Sequence, residues 1–129
     1  TKEKSLQKIL VVENNSSNRI LFNRSLSRYA RIIEAEDGIS GVTMASKVHF
    51  DLILMDINLG AGIDGVQAMH EIRKIPGYAS VPIIAVTAYV MFGDKERFLS
   101  EGFDYYLGKP FMKDALVSLV EKTLAKVKK

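Results

Sequence analysis

The stretch Leu52-Ile53-Leu54-Met55-Asp56 decides the fold. Four apolar residues in a row run into one carboxylate, with Asp51 before them and Gly60 and Gly62 shortly after. The run is too short for an isolated helix and reads as a strand buried on both faces of a parallel sheet, its last residue emerging toward solvent. An aspartate at the carboxyl end of a central strand stands where open α/β sheets place their ligands. Asp56 is therefore the first candidate for a reacting group, and the other strands must bring complementary chemistry beside it.

Working outward, Lys8-Ile9-Leu10-Val11-Val12-Glu13 is a second short apolar run ending in an acid. Asn14-Asn15-Ser16-Ser17 supplies capping side chains for a helix expected over 17–29, with Ile20, Leu21, Leu26 and Tyr29 turned inward. Ile32-Ile33-Glu34-Ala35 reads as a shorter strand near a sheet edge, and Asp37-Gly38 turns into a helix through Val48. Beyond Asp56, the loop Leu59-Gly60-Ala61-Gly62-Ile63-Asp64-Gly65 carries three glycines, as a loop lying against a reactive site needs.

A helix over 66–75 follows and is stopped by Pro76-Gly77. Pro82-Ile83-Ile84-Ala85-Val86-Thr87 is the fourth strand, and a helix over 94–100 ends at Gly102, a left-handed cap. Tyr105-Tyr106-Leu107-Gly108-Lys109-Pro110 is the fifth strand, and the helical spacing of apolar residues over 112–127 gives a last amphipathic helix. Strand and helix signals alternate throughout, which implies an α/β fold: a doubly wound five-stranded parallel sheet with helices on both faces. No internal repeat or linker interrupts it, so residues 1–129 are expected to form a single domain with its core over about 8–127.

Composition excludes several function classes. The chain has 129 residues, enough to bury about two-thirds of its unfolded surface in one core. It has no Cys, which removes disulfides, thiolate catalysis and sulfur-based zinc sites, and its two His, His49 and His70, are far apart. A net charge of +3 is mild, and Lys and Arg collect at the ends and along the first helix without the aromatic interleaving of a nucleic-acid face. No apolar run approaches the roughly 18 residues of a membrane span, and no signal-peptide pattern opens the chain, so a cytoplasmic setting is expected. A start at Thr1 in place of Met suggests processing or a piece of something longer.

The strand ends carry the chemistry. The first strand ends in Glu13, the third in Asp56, the fourth in Thr87 and the fifth in Lys109. In a parallel sheet these ends share one edge, so the four side chains can converge on one pocket. A carboxylate can attack a phosphoryl group and hold it as a mixed anhydride. A hydroxyl and an ammonium can bind phosphoryl oxygens, and neighbouring carboxylates can hold Mg²⁺. Taken singly, a strand-end Thr or Lys is usually a surface residue; the combination is what points to phosphoryl chemistry.

These motifs, Ile9-Leu10-Val11-Val12-Glu13, Leu54-Met55-Asp56, Ala85-Val86-Thr87-Ala88 and Lys109-Pro110-Phe111, resemble those of two-component receiver domains, the phosphoacceptor modules of response regulators and hybrid histidine kinases. The stretch from Gly93 through Gly102-Phe103-Asp104-Tyr105-Tyr106 to Lys109-Pro110 is closest in style to receivers of hybrid kinases. The resemblance implies a flavodoxin-like fold in which Asp56 accepts a phosphoryl group from a phosphohistidine on a sensor histidine kinase or histidine phosphotransfer protein, in a Mg²⁺-dependent reaction. Lys109 matches the lysine that pairs with the acidic pocket, Thr87 the switch hydroxyl and Tyr106 the switch aromatic. Glu13 and Asp56 match metal-binding carboxylates, and Asn58 the residue that offers its backbone carbonyl to the metal. Asn58 and Tyr89 occupy positions that tune dephosphorylation. The resemblance also implies a commonly cis Lys109-Pro110 bond, and a surface of fourth helix, fifth strand and last helix that switches and can form a homodimer.

Two departures stand out. The family's paired acids after the first strand are Glu13-Asn14 here, so an amide replaces a metal-binding acid and weaker Mg²⁺ binding with slower phosphorylation is expected. The loop between Asp56 and Asp64-Gly65 has an extra residue and extra glycine, which suggests mobility beside the site. Asn14 also opens an alternative, a pseudo-receiver that binds proteins with weak or absent phosphorylation. A phosphatase of the haloacid-dehalogenase type needs a second Asp two residues after the nucleophile; that place is Asn58, whose amide cannot shuttle the proton. A nucleotide or flavin site lacks its glycine-rich phosphate loop after the first strand.

Overall fold

In the computed structural model, residues 7–60, 62–88 and 91–127 are described. Strands and helices alternate: β1 (Lys8–Val12), α1 (Ser16–Leu26), β2 (Arg31–Ala35), α2 (Gly38–Lys47), β3 (Leu52–Asp56), α3 (Gly65–Arg73), β4 (Ile83–Thr87), α4 (Asp94–Glu101), β5 (Tyr105–Gly108) and α5 (Lys113–Val127). All strand pairs are parallel, in the order β2-β1-β3-β4-β5. The chain thus builds one way from β1 to the β2 edge and then the other way through β3 to β5. The reversal falls between β1 and β3, and the crevice outside their carboxyl ends is where this topology leaves room for a ligand.

The unbroken apolar runs of β1, β3 and β4 follow from burial on both faces, and alternate residues go to opposite sides. Ile9, Val11, Leu52, Leu54, Ile84 and Val86 pack with Phe22 and Leu26 of α1 and Leu116, Val120 and Leu124 of α5. Leu10, Val12, Ile53, Met55, Ile83 and Ala85 pack on the other face with Ala45 of α2, Ala68, Met69 and Ile72 of α3, and Phe98 of α4. The Met55 side chain is fully buried, whereas Tyr105 is half-buried and its hydroxyl accepts from Lys126 Nζ at 3.1 Å.

The inward face of α1 differs from the expectation. Ile20 and Leu21 are 53% and 42% exposed, and Phe22, Ser25 and Leu26 face the sheet. Residues 22 and 26 are one helical turn apart, so they share a face that Ile20 and Leu21 do not. In α5, Ala115 and Val127 are likewise exposed, while Leu116, Val120, Thr123 and Leu124 are buried. Gly102 ends α4 at φ 130°, the expected glycine cap.

The loop after β3 is anchored on both flanks: Leu59 is 3% exposed, and Ile63 packs against the core beside Gly38. Gly60 and Gly62 take positive φ, at 78° and 85°. Gly65 serves a different purpose. A Cβ there would overlap the Asp56 carbonyl oxygen and lie 2.7 Å from Ile57 Cα, so its bare backbone lets α3 start against the end of β3. The Gly65 N–H donates to the Ile57 carbonyl at 2.8 Å.

Candidate functional site

Glu13, Asn14, Asn15, Asn18, Asp56, Asn58, Ala88 and Lys109 line one cleft of about 300 Å³ at the carboxyl edge of the sheet. Its floor is set by strand register, which places Asp56 of β3 opposite Val86 of β4 and Thr87 opposite Gly108 of β5. Lys109 follows Gly108, and its N–H donates to the Thr87 carbonyl at 2.8 Å, which holds the last residue of the fifth strand region level with the others. The Lys109–Pro110 bond is cis, as the resemblance implied.

The charged groups meet at short range. Lys109 Nζ lies 3.0 Å from Glu13 Oε1 and 3.5 Å from Asp56 Oδ2. Both acids are buried: Glu13 is 1% exposed and Asp56 4%. Asp56 therefore does not emerge into solvent as its strand-end position suggested, because the segments after β1 and β5 close around it. Burial, and then the negative charge of Glu13, push its carboxyl up to about 6, with Lys109 opposing. Thr87 is 1% exposed at the end of β4. Among the described residues, no buried side-chain nitrogen or oxygen lacks a hydrogen-bond partner.

Tyr106 lies outside this cleft. It sits in β5 opposite Ala85, half-buried, with its ring stacked on Phe98 of α4 at 6.4 Å between centroids and 18° between planes. Burial and the charges of Asp94 and Glu96 push its phenol up. Tyr89 lies outside the described residues.

The donor set suits a small hard cation. Glu13 and Asp56 offer two carboxylates, and Asn14 and Asn58 line the same cleft with neutral oxygens. Among the described residues only two formal negative charges stand there, offset in part by Lys109, and no group of three or more His, Cys, Asp or Glu is placed to hold a metal ion. The residues therefore fit Mg²⁺ chemically with less charge than a three-carboxylate set would bring.

Sequence reasoning missed Asn15 and Asn18. Both belong to the start of α1, Asn15 as its N-cap, and both bond to Glu13: Asn15 N–H and Asn18 Nδ2 each donate to Glu13 Oε2 at 3.3 Å. Arg19 Nη1 donates to the Glu13 carbonyl at 2.8 Å. The capping signal in Asn14-Asn15-Ser16-Ser17 marked the helix start, but its link to Glu13 needed the path of the chain between them.

Comparison with known proteins agrees with this geometry. Residues 9–121 match the family model described as the response regulator receiver domain. The chain is 35% identical over 113 residues to the signal transduction histidine-protein kinase BarA of Escherichia coli, covering 87% of this chain but 12% of BarA. It is 30% identical over 117 residues to the polar-differentiation response regulator DivK of Brucella ovis, covering 90% of this chain and 94% of DivK. Among solved structures it is similar to the receiver domain of the sensor histidine kinase PA1611 from Pseudomonas aeruginosa, which has a magnesium ion coordinated in its active site cleft. That match has a TM-score of 0.84 and 37% identity, and covers 94% of this chain and 99% of the other. With its parallel five-stranded sheet and acid-and-lysine cleft at the strand ends, the chain belongs to the response regulator receiver domain family.

Proposed function

We propose that this chain accepts a phosphoryl group on Asp56 from a phosphohistidine of a sensor histidine kinase or histidine phosphotransfer protein. The observation that carries the reading is the buried Asp56 carboxylate with the Lys109 ammonium 3.5 Å away and Glu13 on the same amine. An Asp56 oxygen forms the bond to phosphorus as the bond from phosphorus to the donor imidazole nitrogen breaks, and the freed imidazole takes a proton from solvent. Lys109 pairs with the phosphoryl oxygens and offsets the charge spread over them, and the Thr87 hydroxyl closes on them from the next strand. Glu13, Asp56, Asn14 and the Asn58 backbone carbonyl are the groups that would hold Mg²⁺, which when bound neutralises charge on acid and phosphoryl oxygens; two carboxylates support weak affinity.

The response is a shift between two forms, biased by the charge added at Asp56. Thr87 and Tyr106 are its switch residues, and the readout is the surface of α4, β5 and α5, through which a homodimer would also form. Tyr106 stacked on Phe98 ties β5 to α4, so any movement of that ring is felt on this face. Asn58 and Tyr89 set how fast water removes the phosphoryl group. Residues 1–129 act as a single receiver domain in a cytoplasmic setting; among the described residues, no helix is long and apolar enough to cross a membrane.

Incubation with acetyl phosphate and Mg²⁺, read by intact mass, tests the reading. One phosphoryl group on the wild type and none on Asp56→Asn is the expected result. A wild type that stays unmodified favours the second reading, a pseudo-receiver used as a protein-binding module, whose support is the neutral Asn14 in the cleft.

A further inference from the structure

The start of α1 is wired into the cleft in an unusual way. Asn15 is the N-cap, and its Oδ1 accepts the Asn18 N–H at 2.9 Å. In a reciprocal capping box, the side chain at that third helical position accepts the N-cap N–H in return. Here that bond is diverted. The Asn15 N–H goes to Glu13 Oε2, and the Asn18 amide, facing the same way, donates to that oxygen as well. The amide orientation follows from chemistry: turned over, Asn18 would set its Oδ1 against the carboxylate, oxygen against oxygen.

The other Glu13 oxygen, Oε1, takes Lys109 Nζ at 3.0 Å. Glu13 is thus held at both carboxylate oxygens, from α1 on one side and from the end of β5 on the other. A glutamate has three side-chain torsions to fix. Lys109, on a long flexible stem, and the Asn15 N–H each hold one oxygen by a single bond, and the Asn18 amide adds a second bond at Oε2 from the α1 side. This orientation matters because Asn14 is neutral, so among the described residues Glu13 is the one carboxylate beside Asp56 that lines the cleft.

We infer that Asn18 is a positioning residue of the cleft: its side-chain amide fixes the Glu13 carboxylate so that it faces Lys109 and a divalent cation together. The inference rests on the phosphoacceptor reading of the cleft, yet it is tested on unphosphorylated protein. Groups that orient metal ligands typically contribute about tenfold or more in affinity. Mn²⁺ binding followed by electron paramagnetic resonance, with Mg²⁺ as competitor, is measured for the wild type, Asn18→Ala and Asn18→Leu, the last being an isostere without donor or acceptor. Both variants are expected to weaken Mn²⁺ and Mg²⁺ about tenfold, with thermal midpoints in chelator close to that of the wild type.

A double-mutant cycle with Glu13→Gln then separates positioning from direct contact. If Asn18 acts through Glu13, its removal in the Glu13→Gln background changes affinity by less than about twofold. Unchanged affinity in both Asn18 variants, full additivity with Glu13→Gln, or a wild type that takes up neither cation overturns the inference. A wild type that binds Mn²⁺ but gains no phosphoryl group from acetyl phosphate refutes the functional proposal while leaving the Asn18 cycle decisive.

Discussion

Helices α1 and α3 both begin at the carboxyl edge of the sheet, each just after a strand that contributes an acid to the cleft, yet their first turns are built on opposite plans. At α3 the cap closes on itself. Asp64 Oδ1 accepts the Gln67 N–H at 2.8 Å, Gln67 Oε1 accepts the Asp64 N–H at 2.9 Å, and both residues are exposed. At α1 the loop of bonds is left open: Asn15 caps Asn18, but the returning N–H and the spare amide both go to the buried Glu13. The first plan stabilises a helix. The second uses a helix start to hold a carboxylate that is buried beside another one. A stretch with a capping signature can therefore serve stability or the site, and the two are told apart by what each variant changes.

The largest effect is expected where α3 meets β3. Gly65→Ala places a methyl group against the Asp56 carbonyl and 2.7 Å from Ile57 Cα, both backbone atoms that cannot move aside cheaply. A loss of about 3 kcal/mol, or roughly 10 °C in thermal midpoint, is expected. The matching first residue of α1, Ser16, is exposed, and Ser16→Ala is expected to stay within about 0.5 kcal/mol. Equal losses in the two variants, measured by denaturant unfolding, would mean that α3 does not lie closer to its strand than α1.

Next comes the charge that the α1 plan manages. The ordinary Asp56 value is 3.8 and the fold raises it to about 6, so the folded chain holds the proton more tightly than the unfolded one. Its ionisation therefore costs stability, a cost that grows as pH rises from about 4 to about 6 and is complete above that. Asp56→Asn removes it. Above pH 7 the variant is expected to be more stable than wild type by up to about 3 kcal/mol, and the difference should shrink toward pH 4. A difference that stays flat across that window would show that burial and the Glu13 charge do not raise the Asp56 carboxyl. Asn14→Asp runs the other way: it adds a third carboxylate on the α1 side and is expected to tighten Mg²⁺ about tenfold, or about 1.4 kcal/mol, by calorimetric titration. No gain would mean that charge count is not what limits the cation.

Much of this was legible from residues alone, for a definite reason. Apolar runs that end in Glu13, Asp56, Thr87 and Lys109, alternating with helices, can only be parallel strands, and parallel strands must deliver their ends to one edge. The burial of Ile20 and Leu21 was misjudged because apolar content on a helix does not say which face meets the sheet; Phe22 and Leu26, a turn apart, take that face. Asp56 was read as emerging because a strand end marks position along the sheet but not how far neighbouring loops close over it. Asn18 was invisible for a related reason. An amide three residues past an N-cap reads as a surface residue until Glu13, five positions back, is seen to fold toward it.

The smallest effect isolates the α3 plan. Asp64→Ala removes the side-chain half of an exposed capping box, the Oδ1 that accepts the Gln67 N–H, and leaves the backbone N–H of residue 64 to Gln67 Oε1. The expected loss is about 1 kcal/mol of stability, with Mg²⁺ affinity unchanged within about twofold, because neither Asp64 nor Gln67 lines the cleft. Asn18→Ala should show the reverse, a changed affinity with a nearly constant midpoint. The same two measurements on the two variants thus cross over, and a crossing in that sense is what a structural cap and a site-directed cap require. Should Asp64→Ala weaken the cation as much as Asn18→Ala does, the start of α3 would be as much a part of the site as the start of α1, through the segment that carries Asn58 between Asp56 and Asp64.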